Sequence, residues 1–453
     1  MIGNPLLLGD EGGYNLTRSL RFRSSATAYL NRTFSTPTNA LKFSWSGWVK
    51  RGTFGAQVLF GNGNVNTGTT FSGIYFDSAD RLYLLDAGSF FVRQTNAVYR
   101  DPAAWYHIMF SVDKTSSVNA NLYVNGVQVT SFLDSRGTLL TAGNFNSAVL
   151  TTIGKNAAAS DYYFDGYLAE QYWIDGQALT PASFGAFNSY NQWLPIDYVG
   201  TYGTNGFHLP FTNNASAATL GNDFSGNSNT WTTNNISVTA GVTYDSMTDV
   251  PTLTSATAAN YAVLNPLDKG TTITVQSGNL EASISTTHNG VRNTFQVPTT
   301  GKWYWEITNG STTGSNVILS FGLATSVASM NTYDYNTTGT YSLYASTDLQ
   351  IISNGSGGIT FGSAISSGTV CGIAYDATNG QLYLAVANTY YNSAGSGTGD
   401  PAGGTNATMA VASSLGLFPY EHIYADTFNA NFGQRPFTYT PPTGYVALNT
   451  FNL

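Results

Sequence analysis

Trp105-Tyr-His-Ile-Met-Phe-Ser-Val-Asp113, followed by Asn121-Leu-Tyr-Val-Asn-Gly-Val-Gln-Val129, decides the fold. The first run is dense in aromatic and β-branched residues and too short for a surface helix. The second reads as two strands joined across Asn125-Gly126, a pair that suits a type I′ turn because both central positions need positive φ. Between the runs lies an Asp-led turn. The pattern returns in the second half of the chain: a strand at 371–375, Asp376, Asn379-Gly380, and a strand at 382–386. Two antiparallel sandwiches of similar build follow.

Working outward, alternating runs with turn signals cover 19 to 188, among them Phe43 and Trp45, Tyr83 to Leu85 and Tyr167 to Ile174. The period slips at Gly47-Trp48, which predicts a bulge there. Residues 178–187, with Thr180 as cap and Pro181 at the first helical position, predict one short helix. Residues 189–256 are irregular and Asn-rich and read as a connector packed on the first domain. Strand signals resume at Trp303-Tyr-Trp-Glu-Ile307 and continue to Ile423-Tyr424, interrupted by a Gly/Ser-rich stretch at 392–408 that should be mobile. The predicted architecture is all-β: two jelly-roll sandwiches, an irregular connector, and at most one or two short helices. Its divisions are 1–17 (an anchor segment), 18–195, 196–257 (the connector) and 258–453.

Composition agrees. Of 453 residues only 9% are charged, against ~25% in an average domain, while 14% are aromatic and 48 are Gly. That leaves little charge to coat exposed helices. The net charge of −8 shows no basic stripe for nucleic acid. No run of about 18 apolar residues offers a membrane span. The single cysteine excludes a disulfide framework and a cysteine-based zinc site.

The motifs Trp105-Tyr-His107, Leu122-Tyr-Val-Asn-Gly126, Ile153-Gly154, Phe164-Asp-Gly-Tyr-Leu-Ala169 and Ile174-Asp-Gly-Gln-Ala-Leu179 come in an order that resembles the laminin-G-like, concanavalin-A-like jelly roll over about 18–195. Gly301-Lys-Trp-Tyr-Trp-Glu-Ile307, the 370–376 strand and Asn429-Ala-Asn-Phe-Gly-Gln-Arg-Pro-Phe437 resemble a SPRY-type sandwich over about 258–453. The pairing, ending in Pro441-Pro-Thr-Gly-Tyr445, looks like the structural proteins of tailed bacteriophages. That resemblance implies a virion surface protein, a tail fibre or similar appendage, that binds host-surface glycan. It would be homotrimeric and attached to other virion proteins through its N-terminal segment. The rival readings are a capsid decoration protein and a polysaccharide depolymerase.

Hydrolysis of a glycosidic bond calls for two carboxylates facing one another across the sugar. Asp165 and Glu170 are five apart and would face opposite sides of a regular strand, and Glu306 stands alone, so no catalytic residue is assigned and the protein is read as a non-enzyme. The four histidines are scattered, and His107 reads as a core residue. No cofactor is expected. Calcium alone stays open, through Asp77, Asp80, Asp113, Asp161 and Asp165 at turn positions, where aspartate equally caps its own backbone. Glycan binding needs aromatic faces beside amides and hydroxyls. The candidates are Tyr333 and Tyr335 in one Asn/Thr-rich loop, and Tyr390, Tyr391 and Asn392 in another, although most aromatics must fill the cores.

Overall fold

A computed structural model describes residues 14–66, 70–86, 91–116, 120–137 and 144–453. They form strands and five single-turn 3-10 segments, with no α-helix among the described residues. No helix among the described residues is long and apolar enough to cross a membrane. The chain divides into two compact units: Leu7–Thr239 with Thr243–Thr254, and chiefly Ser255–Leu453. Each is built on two large, mainly antiparallel sheets, as the sequence predicts, and the first unit adds a two-stranded one.

In the first unit the strand Trp105–Asp113 pairs with Lys42–Arg51 on one side and Ala120–Val124 on the other. Ile108, Phe110 and Val112 point into the sandwich and Met109 points out. Both faces are covered, so the strand is apolar nearly throughout rather than cleanly alternating. The inward core centres on Trp173, whose ring lies 5.0 Å from Phe60, 5.2 Å from Phe43 and 5.8 Å from Phe34. Asn125 and Gly126 both have positive φ, 47° and 76°, as the hairpin requires. Segment 196–257 adds three short strands to these sheets: Phe207–Leu209, Thr232–Asn234 and Ser246–Met247.

Two local predictions are corrected. The bulge lies on the strand opposite Gly47: Ala169 faces Trp48 and Tyr172 faces Ser46, so Glu170 and Gln171 together oppose the single Gly47. A Cβ on Gly47 would collide with the Gln171 amide, which is why glycine sits there. Glu170 takes φ 48° at the bulge, and the five-residue parity argument fails at that point. The predicted helix over 178–187 is instead one 3-10 turn, Pro181–Ser183, followed by the strand Gly185–Phe187. Thr180 makes no capping hydrogen bond. Gly185 lies against the Trp193 ring in a ladder with Trp193–Pro195, and Phe184 packs on Tyr172, so pairing overrides the helix signal.

In the second unit Lys302–Asn309 sits centrally in one sheet, between Val370–Asp376 and Thr427–Asn431. The other sheet is centred on Ile318–Thr325, between Leu417–Tyr424 and Thr340–Ala345. Stretch 392–408, expected to be mobile, is a chain of capped turns: Asn392 Oδ1 accepts from the Ala394 and Ser396 amides, and Asp400 and Thr405 exchange backbone bonds.

Candidate functional site

The outer face of the sheet around Ile318–Thr325 is crossed by loop 326–339, Ser-Val-Ala-Ser-Met-Asn-Thr-Tyr-Asp-Tyr-Asn-Thr-Thr-Gly. The sequence has no strand alternation and is rich in residues that bond their own backbone. It is tied down at its middle. Asp334 is fully buried and its carboxylate accepts from the hydroxyls of Ser320, Ser342 and Tyr420. Burial pushes that carboxyl up, and the hydroxyls pull it back. The loop's first turn is held by Arg292, which donates to the carbonyls of Thr325 and Ala328 at 3.0 and 2.8 Å. Met330 receives the Gly290 amide at 2.8 Å. Gly290 allows this close approach: a Cβ there would lie 2.6 Å from the Tyr420 ring.

The two neighbours of Asp334 pack on different partners. Tyr335 tilts against Tyr344, centroids 4.6 Å apart. Tyr333 stacks on His288 at 3.4 Å, and His288 stacks in turn on Tyr424 at 4.4 Å. Tyr333 remains 46% exposed, so one side of its ring faces outward. It borders a cleft of about 620 Å³. Thr271, Thr272 and Thr287 line one wall, and Asn331, Thr332 and Asn336 line the loop side. The Asn289 side-chain oxygen, at the base, receives the Thr272 amide at 2.9 Å, and the Asn331 oxygen receives the Thr271 amide at 2.8 Å. The Tyr333 hydroxyl and the Asn336 side-chain amide make no hydrogen bond within the described residues. The cleft therefore offers an aromatic face beside uncharged donors and acceptors.

Desolvation, with the neighbouring His422, pulls His288 down to about 4, and desolvation pulls the fully buried His422 down to about 3. Both rings are neutral at neutral pH. The unfolded chain takes up these protons near pH 6.5 and the native state does not. The contribution of these rings to the second unit's stability should then fall as pH drops below about 6.5, with His422 losing up to about 1.4 kcal/mol per pH unit. Denaturant unfolding of the wild type and His422→Asn at pH 7 and 5 tests this: the stability of the wild type relative to the variant should fall between the two pH values. An equal change in both proteins would reject the assignment.

Of the five residues singled out from sequence, Tyr333 alone lines the cleft. Tyr390 belongs to a cluster with Tyr304, Ala374, Tyr383 and Tyr445. Tyr391 lies against Phe361 at 4.9 Å. The side-chain amide of Asn392 is engaged in its own loop and donates to Thr398 at 3.0 Å. His288, Asn331 and Asn336 were missed. Their signal was the recurrence of Thr and Asn around 271, 287 and 331, but the chain order hides that these segments meet.

The carboxylates considered for catalysis are internally bonded. Glu170 accepts from Tyr172 at 2.8 Å and lies 2.7 Å from His208 Nε2. Glu306 accepts the Thr438 and Tyr439 amides, both at 2.8 Å, and the Tyr304 hydroxyl at 2.9 Å. The five aspartates at turn positions bond nearby groups: Asp77 the Ala79 and Arg81 amides, Asp80 Arg51 and Arg100, Asp113 Thr115 and Lys42, Asp161 Asn156, and Asp165 Ser24. No group of three or more His, Cys, Asp or Glu side chains among the described residues is placed to hold a metal.

Residues 24–183 match the Laminin_G_3 family, described as the "Concanavalin A-like lectin/glucanases superfamily". The first unit thus carries a lectin-like fold. No curated protein matches the chain. Among solved structures, a candidate carbohydrate binding protein from Bacteroides ovatus aligns at 15% identity and TM-score 0.34, over 49% of this chain and 59% of that one. The chain thus spans under two thirds of that structure's length. The SPRY domain of human HERC1 aligns at 12% identity and TM-score 0.29, over 39% of this chain and 99% of the domain. A heptameric SAP-like pentraxin from Limulus polyphemus aligns at 17% identity and TM-score 0.28, over 36% of this chain and 78% of the pentraxin.

Proposed function

We propose that the protein binds host-surface glycans without altering them, and does so on the surface of a bacteriophage particle as part of a tail fibre or similar appendage. The observation that carries the binding is the Tyr333 ring, braced from behind by His288 and open in front over a cleft of amides and hydroxyls. A sugar presents an apolar C–H face and a hydroxyl rim, and these surfaces complement both. The family match of 24–183, in the other unit, supports glycan binding by the chain as a whole. The virion setting is supported by the order of sequence motifs running from 105 to 445. Binding without hydrolysis is supported by the internal bonds that occupy Glu170 and Glu306. A homotrimer, and many trimers on one particle, would add weak single sites into useful avidity.

Screening the full chain on a glycan array tests the reading. Tyr333→Ala should weaken whatever glycan is bound by at least about tenfold, equivalent to about 1.4 kcal/mol. Tyr333→Phe, which keeps the stacking face, should lose less. Equal binding by wild type and Tyr333→Ala would move the site elsewhere.

A further inference from the structure

We infer that the cleft is selective for uncharged glycans and turns away chains bearing uronate, sialyl or phosphate groups. This rests on the glycan-binding reading above. No Lys, Arg, Asp or Glu is among the described residues that line it. The cations closest in sequence are already engaged. Lys269 donates its ammonium to the Ile273 carbonyl at 2.6 Å. Arg292 holds Asp268 with two nitrogens, at 2.7 and 2.8 Å, and points its remaining donors at the carbonyls of the loop. The loop's own carboxylate, Asp334, is turned down into the sheet among hydroxyls, so it offers no bridge through a cation either. The histidine flanking the cleft, His288, is held neutral by burial and by His422 beside it.

The groups left to meet a ligand are then dipoles: the Tyr333 hydroxyl, the Asn336 amide and the Asn331 NH₂. Each can replace a water on a sugar hydroxyl at little cost. None can replace the hydration of a carboxylate or sulfate, and an anion entering the cleft would give up water without gaining a counter-charge. The net charge of −8 works in the same direction at longer range.

The probes are neutral dextran, mannan, galactan and chitin oligosaccharides, each beside its carboxymethylated form, titrated against the full chain, Tyr333→Ala and Asn336→Lys. At least one neutral chain should bind, and its carboxymethylated partner should bind at least tenfold more weakly. Asn336 is exposed, so lysine is tolerated there, and the new cation should close or reverse that gap. If the carboxymethylated chains bind as well as the neutral ones, and Tyr333→Ala abolishes both, the glycan site stands and its charge selectivity is overturned. If neither form of any chain binds, or if Tyr333→Ala leaves the neutral ligand untouched, the cleft reading falls and this inference falls with it.

Discussion

Asp249→Ala should cost the first unit about 3–5 kcal/mol, the largest loss expected from removing one functional group in this protein. Asp249 accepts from Lys50 Nζ at 2.7 Å and from Trp105 Nε1 at 3.0 Å, and the Lys50 and Asp249 side chains are both wholly buried. Burial already pulls the Lys50 ammonium below its ordinary range, and Asp249 is what holds it up. Without the carboxylate a buried cation loses its counter-charge, and Trp105 loses its acceptor. Replacing both members together, Lys50→Met with Asp249→Leu, should recover most of the loss, because the pair's attraction little more than offsets the desolvation of two ions. Denaturant unfolding of the two variants separates these cases. A single-variant loss below about 1 kcal/mol would show that the pair is not dry.

Glu421→Met should do the reverse and stabilise the second unit by about 1–3 kcal/mol. Glu421 faces inward between Val291 and Phe321, is fully buried, and neither carboxyl oxygen has a hydrogen-bond partner among the described residues. Burial pushes its carboxyl well above the ordinary range. The folded state keeps a proton that the unfolded chain gives up near pH 4.5. The contribution of Glu421 to stability is therefore complete below that pH and declines as pH rises, by up to about 1.4 kcal/mol per unit. Methionine keeps the unbranched shape and removes the polar atoms. From about pH 5 upward, midpoints should fall for the wild type relative to the variant. Parallel slopes would sink the assignment.

The fold was legible because its signals are local. Asn125-Gly126 demands a hairpin wherever it lies, and the run from Trp105 is too apolar and too short to be anything but a covered strand. What local reading missed is what partners decide. Gly47 looked like the bulge, but it is the single residue facing one, and Gln171 on another strand sets that geometry. Thr180-Pro181 looked like a helix start, but Trp193 claims the following residues for a ladder. The site divided the same way. Tyr333 could be named from its loop, whereas its support, His288, arrives through a register in which Gly290 faces His422 and His422 faces Ser320. No spacing in the chain announces that neighbourhood. Tyr390 and Tyr391 sit in an equally promising stretch, and neighbouring Tyr304 and Phe361 take them into packing.

The loop across the second unit keeps its fastening and its display in different hands. Asp334 and the hydroxyls beneath it secure the crossing, with help from Asn331 and the His288–Tyr333 stack, while the Tyr333 hydroxyl and the Asn336 side-chain amide stand above and bear none of that duty. Substitution at Asn336, or loss of the Tyr333 hydroxyl, can change what the cleft meets and leave the sandwich as it was. The recognition surface could thus change through point mutations alone, with no new architecture.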